Sequence, residues 1–528
     1  MQKTEVFTKK DKILYWVLIA TGIFLVSTFA FYWFSPTNIP NNYFGLMRVF
    51  DIFVFLLVSY VVWYQILNEI FFWFVLGKMK TPVFTQPEKG LRVAFLTAFV
   101  PSKEPLNLLQ KCLRAIKSVD YKHDTWVLDE GNDENVKRFC KKVGAFHFTR
   151  NGISKYNQAY GKYKARTKAG NYNAWFSEHS HEYDIVAQVD VDFIPNKSFL
   201  TKTLGYFKDP EVAFVGTPQV YGNTIVSWIA KGAAQQAYGF YGVMQRGFFG
   251  LDMQLFIGAN HIVRVKSHND INGYFGHIVE DHITGMQFYS KKWKSVYVPE
   301  ILAIGEGPST WSAYFKQQMR WAYGLMDILF RHSPKILPKM RFVHFLNYLF
   351  LQHYYFYGLA QFIGIILLFI FFGFGITNID IDLDTILYVY MPLLIFQQIF
   401  FLWSQKFYID PKNESGLHLH GKLLSLAVWP IYALSFFKVV SSKDLVYQVT
   451  PKSEIQSPIT QLSLFIPHAV LLLISLLTLF LAFIYNSKAY HLEFIVGLNV
   501  LLFLGLIVFV IFTNRINLHK HKVKEKRG

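Results

Sequence analysis

Between Ile13 and Phe34 the chain carries no charged side chain, a stretch long enough to cross a bilayer as one helix. It has no small-residue cleavage site, so it reads as an anchor rather than a removed signal peptide. A second apolar run covers about 49–76 and contains Asp51 and Glu69. Carboxylates are costly in lipid, so both are expected at helix ends or against protein. Five more apolar runs follow, at about 346–374, 385–404, 423–440, 462–485 and 492–512. Composition agrees: 52% of residues are hydrophobic and 18% aromatic, more than a soluble domain usually carries.

Charge gives the orientation. Lys3, Lys9, Lys10 and Lys12 lie before or at the start of the first run; Lys520, Lys522, Lys524, Lys526 and Arg527 follow the last. The polar stretches 35–45 and 376–384 contain no Lys or Arg. Basic residues stay on the cytoplasmic side, so both termini are expected there and the number of crossings must be even. Seven runs are one too many. The weakest, 423–440, is short, is broken by Pro430 and is bounded by Lys422 and Lys438, and it reads as an interfacial helix. Six spans remain. They divide the chain into a two-helix anchor (1–81), a cytoplasmic block (82–340) and a C-terminal membrane region (341–528) with a cytoplasmic loop at 441–458. The formal charge of +18 reads as cytoplasmic-loop bias, not as a nucleic-acid surface. Cys112 and Cys140 are the two cysteines, too few for a disulfide framework or a Cys-rich zinc site, and they suit a reducing compartment.

Within 82–340, short β-branched runs such as Ile185-Val186-Ala187 alternate with helical stretches, which predicts an α/β domain on a largely parallel sheet. Several strands run into acids. Gln188-Val189-Asp190-Val191-Asp192 ends in Asp-x-Asp, a donor set for Mg²⁺ or Mn²⁺ beside a diphosphate. Trp126-Val127-Leu128-Asp129-Glu130-Gly131 places two acids at a turn that can accept a nucleobase N–H. Lys168, in Lys168-Ala169-Gly170-Asn171-Tyr172-Asn173, can set a cation near phosphates. Val279-Glu280-Asp281-His282 offers a carboxylate general base in Asp281, with His282 as a packing or supporting residue. Gln317, Arg320 and Trp321 share one face of a helical pattern, where Arg320 suits a leaving diphosphate and Trp321 a sugar ring. Each of these alone is also what a solvated strand end or a packed helix looks like.

In this order, the residues resemble the family 2 processive β-glycosyltransferases, which include the cellulose, chitin and hyaluronan synthases. Thr217-Pro218-Gln219 is similar to the family's TPQ segment, Phe256-Ile257-Gly258-Ala259-Asn260 to its acceptor-site strand, and 168–173 to its KAGNLN-type segment. The resemblance spans about 90–330 and continues into the C-terminal membrane region. It implies a GT-A fold and a metal-dependent inverting reaction on a UDP-sugar. It further implies Asp129 and Glu130 at the nucleotide, with Lys168 and Asp190 also on the UDP-sugar. On the same resemblance, Asp190 and Asp192 are expected to hold Mg²⁺ or Mn²⁺, Asp281 to be the base, and Gln317 and Arg320 to take the diphosphate. Trp321, Gly258, Glu280, Thr217 and Gln219 are placed on the acceptor side.

A further segment, Tyr447-Gln448-Val449-Thr450-Pro451-Lys452, resembles the gating loop of cellulose synthases, with Thr450 and Lys452 toward the diphosphate. Three positions depart from the family pattern: Glu130 for the second Asp of D-D-G, Val279 for the Thr of T-E-D and Tyr447 for the gating Phe. No appended cyclic-di-GMP-binding domain is expected after the last span.

The expected activity is polymerisation of a β-glucan from UDP-glucose in the plasma or inner membrane, with secretion through the chain's own helices. Cellulose-like β-1,4 linkage is favoured; mixed-linkage or β-1,3-glucan and hyaluronan-like products are the alternatives. The Gln317–Arg320–Trp321 set and the gating-loop lid argue against a single-sugar transfer to a lipid phosphate, and a transporter with a cytoplasmic regulatory domain would not need a metal pair, a base and a diphosphate clamp in this order. Expected partners are the donor, the growing polysaccharide and the lipid bilayer, with accessory export subunits and self-association left open. Part of 346–374, with Gln352, His353, Tyr354, Tyr355, Phe356, Tyr357 and Gln361, is a candidate channel lining.

Overall fold

The computed structural model describes residues 2–40, 44–374, 384, 386–442, 462–485 and 489–525. The chain is a membrane protein with an α/β domain between its apolar helices. Strand β1 (Lys3–Glu5) pairs antiparallel with β2 (Lys80–Pro82), closing the two-helix anchor onto the start of the domain. The domain strands are β3 (Val93–Phe99), β4 (Asp124–Asp129), β5 (Phe146–Phe148), β6 (Ile185–Val189), β7 (Ile194–Pro195), β8 (Val212–Gly216), β9 (Val220–Tyr221), β10 (Asn260–Arg264), β11 (Lys294–Tyr297) and β12 (Ala303–Gly305).

Seven of them form one sheet in the order β11-β8-β10-β6-β3-β4-β5, and β7-β12-β9 form a small second sheet. Every residue of β6 and β8 is buried, because helices cover both faces of the sheet. Leu106–Lys117 and Glu134–Val143 bury Leu109, Cys112, Val136 and Phe139 against one face. Lys168–His179 and Glu280–Ser290 bury Trp175, Phe176, Ile283 and Met286 against the other.

The expectation of a largely parallel sheet needs one amendment. Strand β10 runs antiparallel to both of its neighbours, with Asn260 opposite Val189 and His261 opposite Gly216. The chain entering β10 therefore arrives at the edge from which the chain leaves β6. This reversal puts Gly258 beside Asp190. Residues 256–259 precede the strand and are not themselves strand.

Among the described residues, seven helices are long and apolar enough to cross a membrane: Lys9–Trp33, Leu46–Leu76, Phe342–Gly373, Leu387–Phe407, Leu419–Val440, Ile466–Ile484 and Leu492–Ile511. Asp51 is buried against protein, and Asp11, at the start of the first helix, pairs with Lys406. Leu419–Val440 differs from the sequence expectation in two ways. Its 22 residues make it long enough to cross. Pro430, expected to break it, lies inside a continuous helix. Dense packing holds that turn together, and His468 donates to the Ala427 carbonyl at 2.6 Å, one turn before the proline. The helix is also set apart by burial: 56% of its apolar window is inside the protein, against 11–28% for the other six. It packs between the domain helices Trp228–Gly239 and Trp311–Arg331. Gln236 donates to the Gly421 carbonyl and to Ser425 at 3.2 and 2.9 Å, and Tyr432 donates to Gln318 at 2.6 Å.

Candidate active site

The C-terminal edge of the parallel strands is where α/β sheets bind ligands. Here it carries Asp129 at the end of β4, Asp190 just past β6, Thr217 and Gln219 past β8, and Gly258 just before β10.

The centre is Gly258. Its N–H donates to Asp281 Oδ2 at 3.0 Å, and its carbonyl accepts from Lys168 Nζ at 2.7 Å. Lys168 also donates to Asp190, so one ammonium joins the strand-end acid to the loop that carries Gly258. Burial works against the Lys168 ammonium, but Asp190, Tyr172 and Glu280 outweigh it and hold its pKa above the usual lysine range. Lys168 is the first residue of its helix, fixed there by the Thr167 hydroxyl, which accepts the Gly170 N–H at 3.1 Å.

Asp281 lies in the first turn of Glu280–Ser290, where the helix dipole favours a carboxylate. Its other oxygen accepts the His282 N–H at 2.8 Å. Burial and the adjacent Asp281 push Glu280 up to about 7, against Lys168 and Arg320. Lys168, Gly258, Glu280 and Asp281 line a small pocket together with Gln188 and His261. His261 bonds Tyr274 at 3.0 Å and the Ile257 carbonyl at 2.7 Å. His282 is buried, and burial lowers its pKa to about 3; it meets Tyr348 edge-on and bonds Gln352 at 3.1 Å.

Asp190 is partly exposed and Asp192 is 6% exposed. Both stand just past the end of β6, and with burial, the larger cause, they push the thiol of buried Cys112 up to about 12. An all-oxygen pair of this kind fits Mg²⁺ or Mn²⁺. Tyr221 is hydrogen-bonded to Gln317 and feels the charge of Asp192. It is raised by burial and Asp192, and lowered by a hydrogen bond with Gln317 and by Arg320. Trp321 is half-buried where the two halves of the domain core meet.

Thr217 accepts from Asn260 at 2.6 Å, and Gln219 accepts from the Tyr241 hydroxyl at 2.9 Å, so the segment 217–219 is anchored to its neighbours. Thr450 and Lys452 lie outside the described residues.

Asp129 is fully buried. Its carboxylate accepts the Gly131 and Asp133 N–H groups at 2.8 and 2.7 Å and meets His147 at 3.0 Å. It shapes the turn. Glu130 receives Arg150 at 2.5 and 3.0 Å. Arg150, fully buried, also donates to the carbonyls of Tyr156, Lys164 and Thr167, each at 3.0 Å. One guanidinium thus ties the Glu130 turn to the start of the Lys168 helix. Sequence reading missed Arg150, because it stands outside every motif and its partners are mostly backbone. Gln352, a candidate channel residue, is fully buried between Ser333 and His282 and joins the membrane helix to the Asp281 helix instead.

A second cluster, His277, Asp327 and His332, brings potential ligand atoms within 4.8 Å of one another. It reads better as a hydrogen-bonded group. Asp327 already pairs with Arg331 at 2.6 Å, and His277 Nδ1 accepts the Val279 N–H at 3.2 Å. That acceptance keeps the imidazole proton on Nε2, aimed at Asp327 where a metal would need a lone pair.

Residues 185–404 match the family model described as glycosyl transferase family group 2. This segment is similar to the family 2 glycosyltransferases, and the chain resembles cellulose synthases. It is 26% identical over 296 residues to the UDP-forming cellulose synthase catalytic subunit of Pseudomonas fluorescens (strain SBW25), covering 53% of this chain and 38% of that protein. It is 27% identical over 273 residues to the cellulose synthase 1 catalytic subunit of Komagataeibacter xylinus, covering 50% and 35%. The chain thus spans well under half the length of these curated relatives. Among solved structures, the mannosyltransferase PcManGT from Pyrobaculum calidifontis, in complex with GDP-Man and Mn²⁺, aligns at 14% identity and a TM-score of 0.49, over 74% of this chain and 99% of that one.

Proposed function

We propose that this glycosyltransferase is a processive, inverting β-glucan synthase that uses UDP-glucose, with β-1,4 linkage favoured, and passes its product through its own membrane helices. The observation that carries the reading is the double hold on Gly258, because it joins an acceptor-side base to a donor-side cation.

Asp281 is the base. As the acceptor hydroxyl attacks the anomeric carbon, its proton goes to the Asp281 carboxylate, and the bond from that carbon to the diphosphate breaks. UDP leaves with the bonding pair. Asp190 and Asp192 would hold Mg²⁺ or Mn²⁺, which neutralises diphosphate charge. Lys168 and Arg320 bring further positive charge to the same edge, and Gln317 braces Arg320's helix against Tyr221. Trp321 offers its ring to the acceptor sugar. Asp129 and Glu130 shape the nucleotide turn, supported by Arg150.

The packing of Leu419–Val440 against two domain helices supports an interfacial rather than a crossing role. Six spans then remain, and both termini share the cytoplasmic side with the domain. Secretion rests on the likeness to cellulose synthases.

The test supplies purified protein in lipid nanodiscs with radiolabelled UDP-sugars in turn, with and without Mg²⁺ or Mn²⁺, and digests the product with linkage-specific glycosidases. Polymer from UDP-glucose that a β-1,4-glucanase degrades is the expected result. Polymer from another donor, or single-sugar addition to lipid, overturns the reading.

A further inference from the structure

His277 and Asp327 meet next to the start of the Asp281 helix and are not among the residues that line the pocket. Val279 is the N-cap of the Asp281 helix and makes no side-chain cap bond. Its N–H goes to His277 Nδ1 at 3.2 Å, and His277 Nε2 lies 3.1 Å from Asp327 Oδ2. With the proton on Nε2, the imidazole accepts on one side and donates on the other. Asp327 is 5% exposed and is held in turn by Arg331 at 2.6 Å.

The helix Trp311–Arg331 supplies this support along one stripe. Gln317, Arg320, Gly324, Asp327 and Arg331 are spaced by three or four residues and share a face. At Gly324 the helix backbone presses on the turn: a Cβ there would lie 2.4 Å from Val279 Cγ2. The face that carries the Gln317–Arg320 pair therefore also grips the chain two residues before Asp281.

We infer that His277, oriented by Asp327, is a positioning residue that sets the angle of the Glu280–Asp281 turn by accepting the Val279 N–H. The inference rests on Asp281 being the base. Asn can place an oxygen where Nδ1 stood, keeping the Val279 bond and losing Asp327. Gln can reach Asp327 in place of Nε2 and lose Val279. A residue that merely fills space would be damaged alike by both.

The experiment measures kcat, donor KM and melting temperature for H277A, H277N, H277Q and D281N in nanodiscs. A displacement of about 1 Å at a reacting group costs roughly 10²-fold in rate, so H277A and H277Q are expected to lose about 10- to 100-fold in kcat with donor KM little changed. H277N is expected to restore most of that loss. H277N as slow as H277A, or H277Q as fast as the native enzyme, overturns the proposal. D281N separates the two ideas: if it still makes polymer the base reading fails, and if it is inactive while H277A is fully active only the positioning role fails.

Discussion

The Gly258 N–H points at the Asp281 carboxylate from 3.0 Å, and no side chain fits between them: a Cβ on Gly258 would stand 3.1 Å from Asp281 Oδ2. Either the carboxylate or the loop must give by a few tenths of an ångström. Gly258→Ala is therefore expected to lower kcat by about 10-fold or more, in line with the steep cost of misplacing a reacting group. Donor KM should move far less. Steady-state kinetics decide it; an unchanged kcat would remove Gly258 from the positioning of the base.

Asp281→Asn nearly keeps the shape but cannot take a proton, and because its amide nitrogen cannot accept it keeps only one of the two backbone hydrogen bonds from Gly258 and His282. Polymer synthesis should fall by about 10²- to 10⁴-fold, the usual worth of a general base. UDP binding by calorimetry should stay within a few-fold of native. Retained synthesis would move the base elsewhere.

Arg150→Ala leaves Glu130 and three backbone carbonyls facing a gap. Removing one partner of a buried charged pair costs about 3–5 kcal/mol, so this variant should unfold well below the native melting temperature. Arg150→Lys should recover little, because a single ammonium cannot reproduce the planar fork that reaches Glu130 and three carbonyls. Melting curves in nanodiscs test both. A native-like Arg150→Lys would mean that the fork is dispensable.

Glu280 gives a stability dependence on pH with a stated sign. Its folded pKa is raised from the ordinary 4.5 to about 7 by burial and Asp281, so between those values the folded chain binds more protons than the unfolded one. Its contribution to stability must fall as pH rises through that window. Glu280→Gln should flatten the decline. The check is melting temperature against pH for both proteins, and parallel curves would rule the effect out.

Gln352→Leu cuts the bond from the membrane helix to His282 and leaves the Ser333 hydroxyl without its acceptor. A buried polar group stripped of its partner costs about 1–3 kcal/mol. The variant should lose that much stability, read from melting or denaturant curves, and lose kcat with it if the membrane helix steadies the Asp281 helix. A fall in stability with full activity would separate the two.

Much of this architecture is legible in the chain because its signals are local. Uncharged runs announce the membrane helices, and strands ending in acids, such as 185–192, announce the sheet edge. What stayed hidden depends on contacts distant in sequence. Strand β10 reads like any β-branched run, and nothing in Asn260–Arg264 reveals which way it lies against β6. Arg150 and Asp327 look like ordinary surface charges until the fold closes around them. Leu419–Val440 was legible as the odd helix among seven, but its ties to Gln236 and Gln318 span more than a hundred residues. Pro430 misled because the rule about proline in helices takes no account of packing that holds a helix together.

The reversed strand has a consequence for how this site can vary. The offset between Asp190 and Gly258 is set by the pairing of β10 with β6, five matched residues long. Such a pairing cannot drift by fractions. A one-residue slip turns every side chain of the strand to the wrong face, and the next permitted step moves it by about 7 Å. Substitutions elsewhere in the domain can weaken the sheet, but they have no graded way to widen the gap between these two loops. The distance is discrete, so small changes in geometry must come from the loops themselves, at positions such as Asp190 and Gly258.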